Sequence, residues 1–265
     1  MTLDFRQLMR EERQRARRQQ TLSSSSSSRE EELHAIVAAT SDTQSAANLN
    51  FAAPLSAWSQ RQPLDVNVYT VDGISRVHYV PNWISESEEQ AISERVYAIP
   101  DDDASVWVAL KRRRLQMWGG QVESPFAAQS LPAWLLQIVQ ALVDATVFDE
   151  DHRPNHVLIN EYGVGEGIMP HEDGPSYFPF VAIISTGADS VVTFEPHRKL
   201  LQSESVLVEE KPRTESNEPL TRLSFQLERR SLLLFTGDAY TKYLHSIDGV
   251  ERGKRVSLTI RHVSL

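Results

Sequence analysis

The stretch Val157–Asp173, VLINEYGVGEGIMPHED, begins as an apolar, strand-like run, passes three spaced glycines and ends on a histidine and an aspartate two positions apart. In an extended segment, side chains two apart point the same way, so the His171 imidazole and the Asp173 carboxylate can grip one ion. A His-x-Asp pair alone says little, because it arises by chance in many chains. It gains meaning from the C-terminal end, where His245 is followed by Arg255-Val-Ser-Leu-Thr-Ile-Arg261. A second imidazole completes a 2-His-1-carboxylate face, the arrangement that holds Fe(II) and leaves positions open for oxygen and a co-substrate. Gly163, Gly165 and Gly167 do not make a phosphate loop, because no helix N-terminus follows to receive an anion.

Read as a strand, the last segment divides by parity. Arg255, Ser257, Thr259 and Arg261 face one way, and Val256, Leu258 and Ile260 face the other. On the outside of a sheet this is the ordinary pattern of a half-buried antiparallel strand. If the polar face lines a barrel instead, two guanidiniums inside it need anionic company, since buried unpaired charge is costly. A dicarboxylate would supply that company through paired, charge-assisted bonds.

The order Asn160-x-Tyr162, His171-x-Asp173, His245 and Arg255-x5-Arg261 resembles the AlkB family of Fe(II)/2-oxoglutarate dioxygenases. The phrases LINEYGVGEGIMPHEDGP and RVSLTIR are most similar to the branch of the sixth AlkB homologue. The resemblance runs from about Val77 to Val263 and does not extend to the N-terminal quarter. It implies that His171, Asp173 and His245 bind Fe(II), with 2-oxoglutarate and O₂ as co-substrates. It also implies that Arg255 salt-bridges the distal carboxylate of 2-oxoglutarate and that Arg261 lies near the end attached to iron. Asn160 and Tyr162 would hydrogen-bond the co-substrate. Ser257 stands where the family usually has Asn, so a shorter hydroxyl takes that place. The implied chemistry yields succinate and a hydroxylated C–H bond, and an N-linked methyl hydroxylated in this way leaves as formaldehyde.

Composition sets the outer bounds. A 30.0 kDa chain of 265 residues, 40% hydrophobic, can bury one substantial core with a tail. The absence of cysteine excludes a disulfide framework, a thiolate zinc site and a Cys nucleophile. No apolar run approaches the roughly 20 residues needed to span a bilayer, so no membrane partner is expected. The N-terminus, MTLDFRQLMREERQRARRQQ, lacks the apolar core of a secretory signal. Asp4, Glu11 and Glu12 argue against a mitochondrial presequence. A monomer in the cytoplasm or nucleus is the expectation.

Residues 1–65 differ in character from the rest of the chain. Leu3–Gln20 reads as a charged helix, Ser23–Ser28 is an unbroken serine run, and Glu30–Ala39 reads as a second short helix before polar residues dominate again. Such a segment cannot offset its ordering entropy by burial, so a mostly disordered extension is expected. Arg10–Arg18 is read as a solvated helix face, because acids are interleaved with its arginines. Residues 66–265 are read as the dioxygenase domain.

Within that domain, Val66–Val80 alternates like a strand and is broken by a turn at Asp72-Gly73. Ser85 can cap a helix with Glu88 in the capping-box position and Ala91, Ile92 and Val96 inward. Leu131–Phe148 reads as an amphipathic helix with Pro132 in its first turn and Trp134, Leu135, Ile138, Leu142 and Ala145 forming the buried stripe. Strands follow at Val181–Ser185, Val191–Phe194, Leu223–Leu227 and Ser231–Phe235, while Glu204–Thr221 reads as an excursion. His197 is assigned a structural role. Many short strands after an early helical region predict a mainly β fold, a jelly roll with supporting helices, and the resemblance to the AlkB family implies its double-stranded β-helix form.

One basic cluster stands out. In Trp107–Gly120, Lys111, Arg112, Arg113 and Arg114 lie beside Trp107 and Trp118, which offers phosphate contacts and stacking surfaces for RNA or single-stranded DNA. In the AlkB family the corresponding region forms a lid over a flipped nucleotide. The competing reading is a strand with outward cations and tryptophans in the core. Residues 66–265 carry 19 Lys+Arg against 28 Asp+Glu, so only a local patch can attract phosphate. Three alternatives therefore stand beside nucleic-acid demethylation: a dioxygenase acting on a protein side chain, a nucleic-acid binder with little turnover, and a metal cupin that uses no 2-oxoacid. The complete triad argues against the second, and the paired arginines against the third.

Overall fold

In a computed structural model, the structure describes residues 53–122, 126–197 and 221–264. A 3-10 turn at Val66–Tyr69 precedes β1 (Val77–Val80) and α1 (Glu86–Val96). Next come β2 (Val108–Ala109), β3 (Arg114–Trp118), β4 (Gly120–Gln121), β5 (Ala127–Ala128) and α2 (Ala133–Asp144). The second half holds β6 (His156–Tyr162), β7 (Ile168–His171), β8 (Phe180–Thr186), β9 (Ser190–Pro196), β10 (Leu223–Leu227) and β11 (Leu232–Thr236). It closes with α3 (Gly237–Thr241), β12 (Tyr243–Ile247) and β13 (Arg255–Arg261).

The strands form a larger sheet in the order β1-β11-β8-β13-β6-β3-β2 and a smaller one in the order β10-β9-β12-β7. Within both sheets the ladders are antiparallel, and the chain crosses between them as a jelly roll does. The short β4–β5 pair stands apart.

Strand parity explains the layering. Val157 and Ile159 of β6, Ala182 and Ile184 of β8, Leu232 and Leu234 of β11, and Val256, Leu258 and Ile260 of β13 pack outward against the helices. Trp134, Leu135, Ile138 and Leu142 of α2 meet them with fully buried side chains. The alternate residues, among them Leu158, Val181, Ile183, Leu233 and Phe235, point between the sheets and meet Val192 and Phe194 of β9 and Ile247 of β12. β6, β8 and β11 thus each serve two apolar layers, whereas the inward face of β13 is polar.

The helices form as their caps predict. Ser85 Oγ accepts from the Glu88 amide at 3.2 Å while the Glu88 carboxylate accepts from the Ser85 amide at 2.8 Å, a complete capping box. Glu88 also takes two Arg61 N–H groups at 2.9 Å each. The Arg61 guanidinium lies over the rings of Trp58 and Trp83. Pro132 is the N-cap of α2 rather than its first helical residue.

Two expectations need correction. Val66–Tyr69 is a 3-10 turn and only Val77–Val80 is strand, because Asp65 accepts from the Asn67 amide and tightens the chain before it can extend. Residues 54–64, assigned from sequence to the extension, are packed on the domain: Leu55 is buried, its amide donates to Gln137 Oε1 at 2.7 Å, and the Leu64 amide donates to the Ala145 carbonyl at 3.0 Å. Isolated apolar residues in polar surroundings carry no periodicity, so this strap had no signal. The expected helices Leu3–Gln20 and Glu30–Ala39, and the excursion Glu204–Thr221 apart from its last residue, lie outside the described residues. Among the described residues, no helix is long and apolar enough to cross a membrane.

Leu258, fully buried between β13 and the helices, is the test of this layering. Leu258→Ala should lower unfolding stability by about 2–5 kcal/mol, the usual cost of a core cavity, in a urea titration. A change within about 0.5 kcal/mol, the range of surface substitutions, would refute the packing described.

Candidate active site

β7 and β12 lie side by side in the smaller sheet, and their register sets His171 opposite His245. The two imidazole rings lie 4.2 Å apart, centroid to centroid. Asp173, two residues past His171, joins them, so that one ligand atom from each residue lies within 4.8 Å of the other two. All three side chains are buried.

The donor atoms suit a divalent cation. His171 Nδ1 lies 2.9 Å from the Met169 carbonyl, which can only accept. Nδ1 therefore carries the proton, and the lone pair on Nε2 is left for a metal. Burial, reinforced by the neighbouring His245, holds the His171 pKa well below the ordinary range. Burial likewise lowers that of His245. Both imidazoles are thus kept in the neutral form that ligates. Asp173 Oδ1 accepts from Arg261 Nη1 at 2.6 Å, while its buried Oδ2 has no hydrogen-bond partner. One carboxylate oxygen is fixed by the guanidinium and the other is left for an ion.

The polar face of β13 forms the wall opposite. Arg255, Ser257, Thr259 and Arg261 line the same chamber as the triad, together with Asn160 and Tyr162 of β6. The β6–β13 register pairs Asn160 with Ser257 and Tyr162 with Arg255. Arg255 is fully buried. Its Nη2 donates to Ser185 Oγ at 3.0 Å, but Nε and Nη1 have no partner. Burial lowers its pKa. A carboxylate accepting from those two groups would offset this cost, so the residues fit a bound dicarboxylate. Burial also disfavours the charge on Arg261, but Asp173 outweighs it with help from Tyr177 and Tyr240, and the pKa ends above the ordinary value.

The basic cluster is divided rather than gathered. Arg114 is on the helix side of β3, in ion pairs with Glu161 and Asp101 at 2.8 Å each and 4.0 Å over the Trp107 ring. Trp118 packs against the helix-side core, with Nε1 donating to Gln116 Oε1 at 3.1 Å. Arg113 turns inward and donates to Asn160 Oδ1 at 3.2 Å. Lys111 and Arg112 remain exposed, and Arg112 Nη2 donates to the Gly165 carbonyl at 2.9 Å. The expected shared surface of four cations and Trp118 is therefore corrected: Lys111 and Arg112 stay exposed in the turn before β3, Arg113 turns in toward Asn160, and Arg114 and Trp118 share the helix-side face of β3.

His197 does not join the triad; it is buried and pairs with Glu172 at 3.2 Å. Arg113, which lies behind Asn160, and Ser185, which accepts from Arg255, were missed as supports of the chamber's lining residues. Parity with Leu115, two positions on, could have placed Arg113 inside; nothing local marks Ser185. A third residue missed is His156, the partner of Arg261 in the β6–β13 ladder. It is fully buried, both ring nitrogens lack partners, and its ring is 5.7 Å from that of Tyr177. Burial, with the Arg261 charge second, lowers its pKa from 6.5 to about 3.

The chain is similar to known proteins. The family model described as the 2OG-Fe(II) oxygenase superfamily matches residues 107–261. A protein of Danio rerio named "Probable RNA/DNA demethylase ALKBH6" is 37% identical over 229 residues, 77% of this chain and 92% of its own length. An Arabidopsis thaliana protein named "Alkylated DNA repair protein ALKBH8 homolog" is 26% identical over 206 residues, 69% of this chain and 57% of its own. Among solved structures, OsALKBH1 aligns with a TM-score of 0.49 at 14% identity, over 71% of this chain and 98% of that one.

His156 generates a prediction about pH. An unfolded chain protonates this imidazole near 6.5, whereas the fold keeps it neutral down to about 3. Stability is therefore complete above pH 6.5 and is lost as pH falls, at a limiting slope of about 1.4 kcal/mol per unit for one proton. In denaturation midpoints of metal-free protein, His156→Phe should flatten the acid limb by close to one proton. An unchanged slope would mean that His156 titrates normally in the fold.

Proposed function

Since the chain belongs to the AlkB branch of the 2OG-Fe(II) oxygenase superfamily, we propose that it oxidatively demethylates N-alkylated nucleic acid, RNA or single-stranded DNA. It is an oxidoreductase that uses Fe(II), 2-oxoglutarate and O₂. The observation that carries the reading is a single buried chamber in which a metal-binding triad faces a guanidinium with unpartnered N–H groups. His171, Asp173 and His245 would hold the iron. Arg255 would grip the distal carboxylate of 2-oxoglutarate, Arg261 would serve the end nearer the iron, and Asn160, Tyr162 and Ser257 would complete the cradle.

When bound, iron and co-substrate supply the oxidation: one atom of O₂ goes to succinate, formed with CO₂ from 2-oxoglutarate, and the other becomes a hydroxyl on a substrate C–H carbon. An N-hydroxymethyl group then parts as formaldehyde, and the nitrogen regains its proton. The chain's own contribution is to place and shield these groups. Neutral imidazoles keep their lone pairs for the metal at neutral pH. Arg261 fixes the Asp173 carboxylate, and Leu158, Ile168, Ile183, Val192 and Ile247 give the chamber apolar walls that limit water.

Nucleic acid as the substrate is supported by the names of the relatives and by exposed Lys111 and Arg112 beside the loop after β6. The division of the basic cluster and the net charge of −9 favour a second reading, a protein side chain.

Four results would test this function. Succinate formation from 2-oxoglutarate should need Fe(II) and disappear in His171→Ala, Asp173→Ala and His245→Ala; full turnover in His245→Ala would remove it from the ligand set. Arg255→Ala should raise the 2-oxoglutarate requirement at least tenfold, since truncating one partner of a desolvated charge pair costs about 2–5 kcal/mol. With N-methylated RNA, single-stranded DNA and peptide offered side by side, mass spectrometry should find demethylation of nucleic acid. Replacing Lys111 and Arg112 by Ser should flatten the salt dependence of its binding by close to two phosphate contacts. Product on the peptide alone would transfer the assignment to protein.

A further inference from the structure

The turn between β2 and β3 is closed by the Leu110 amide donating to the Arg113 carbonyl at 2.8 Å, which fixes the Arg113 backbone at the edge of the barrel. Its side chain shares the inward parity of Leu115 and is only 2% exposed. There its Nε lies 3.2 Å from Asn160 Oδ1. β3 pairs with β6 so that Leu115 is opposite Asn160, and the guanidinium two residues earlier reaches across to that amide. Asn160 itself lines the chamber with the triad and the two arginines of β13.

The two groups differ in what they can exchange. A guanidinium only donates, and a carboxamide has one accepting end and one donating end. A cation on Oδ1 therefore settles which way the amide faces, and turns its NH₂ end to the other side. On that other side is the chamber, where a 2-oxoacid would bring only oxygen acceptors. Were the amide reversed, Oδ1 would meet those oxygens and Nδ2 would meet the guanidinium, and both contacts would be repulsive.

We infer that Arg113 is a positioning residue for the co-substrate: it holds the Asn160 carboxamide in the orientation that donates to bound 2-oxoglutarate. The inference rests on the co-substrate chamber proposed above and adds a residue that acts through Asn160 without touching the co-substrate. It also separates Arg113 from its sequence neighbours Lys111 and Arg112, whose exposed side chains are available to a macromolecular substrate.

The experiment is a double-mutant cycle read by calorimetry, with 2-oxoglutarate titrated into protein loaded with Mn(II) in place of Fe(II). Arg113→Met should weaken binding about tenfold, the scale of one charge-assisted hydrogen bond. Asn160→Ala should weaken it by at least as much. The Arg113→Met/Asn160→Ala double variant should be no weaker than Asn160→Ala alone, because an action through Asn160 vanishes with it. Arg113→Lys, which keeps a donor-only cation, should recover most of the affinity. Mn(II) affinity should stay constant across the set, showing that each variant keeps the folded triad. Losses that multiply in the double variant would overturn the inference, as would unchanged binding in Arg113→Met or no recovery in Arg113→Lys. Failure of the wild-type protein to bind 2-oxoglutarate would instead overturn the chamber reading, and this inference with it.

Discussion

The buried bond between Arg261 and Asp173 is the interaction on which the site depends. Arg261 ends β13, the last strand in the chain and part of the larger sheet, and Asp173 comes just after the edge strand of the smaller one, so a 2.6 Å contact ties the two layers where His171, Asp173 and His245 converge. Both side chains are buried, and a lone charge of either sign there would be strongly unfavourable. The pair therefore fixes geometry as well as charge: one carboxylate oxygen is consumed, and the other is left pointing without a partner beside two neutral imidazoles.

The charges around that bond are unbalanced in a way that makes chemical sense. Among the described residues that wall the chamber, Asp173 is the one carboxylate, set against Arg255 and Arg261, with Arg113 behind Asn160. A divalent cation would add to the excess and a dianionic 2-oxoacid would reduce it, so charge balance favours the two bound together. The polar inward face of β13 is tolerated because its outward face of Val256, Leu258 and Ile260 anchors the strand in the helix-side core. Stability and chemistry are assigned to opposite faces of one strand.

The surface obeys a different logic from the chamber. Glu161 and Asp101 neutralise Arg114 outside, Glu88 neutralises Arg61, and Glu89 neutralises Arg229, so these three arginines serve to fasten neighbouring segments of the fold to one another. With a net charge of −9, attraction for a polyanion must come from few positions, and Lys111 and Arg112 are two that remain exposed.

The sequence by itself determined the jelly-roll class, the triad His171, Asp173 and His245, the capped helix after Ser85 and the two-faced character of β13. The capped helix, the two faces of β13 and the His171–Asp173 pair are carried by local spacing, whereas His245 as third member rested on the order of motifs along the chain and its resemblance to the AlkB family. Only the tertiary structure decided which face of β13 met the helices, since parity names two faces without saying which is inside. It also decided that four adjacent cations part company, because β3 is flanked by a core on each side. The strap at residues 54–64 and the contacts of Ser185 and His156 were illegible for the same reason. Their partners are brought near by sheet closure between residues distant in the chain, and no local pattern records a contact that exists only once the barrel has shut.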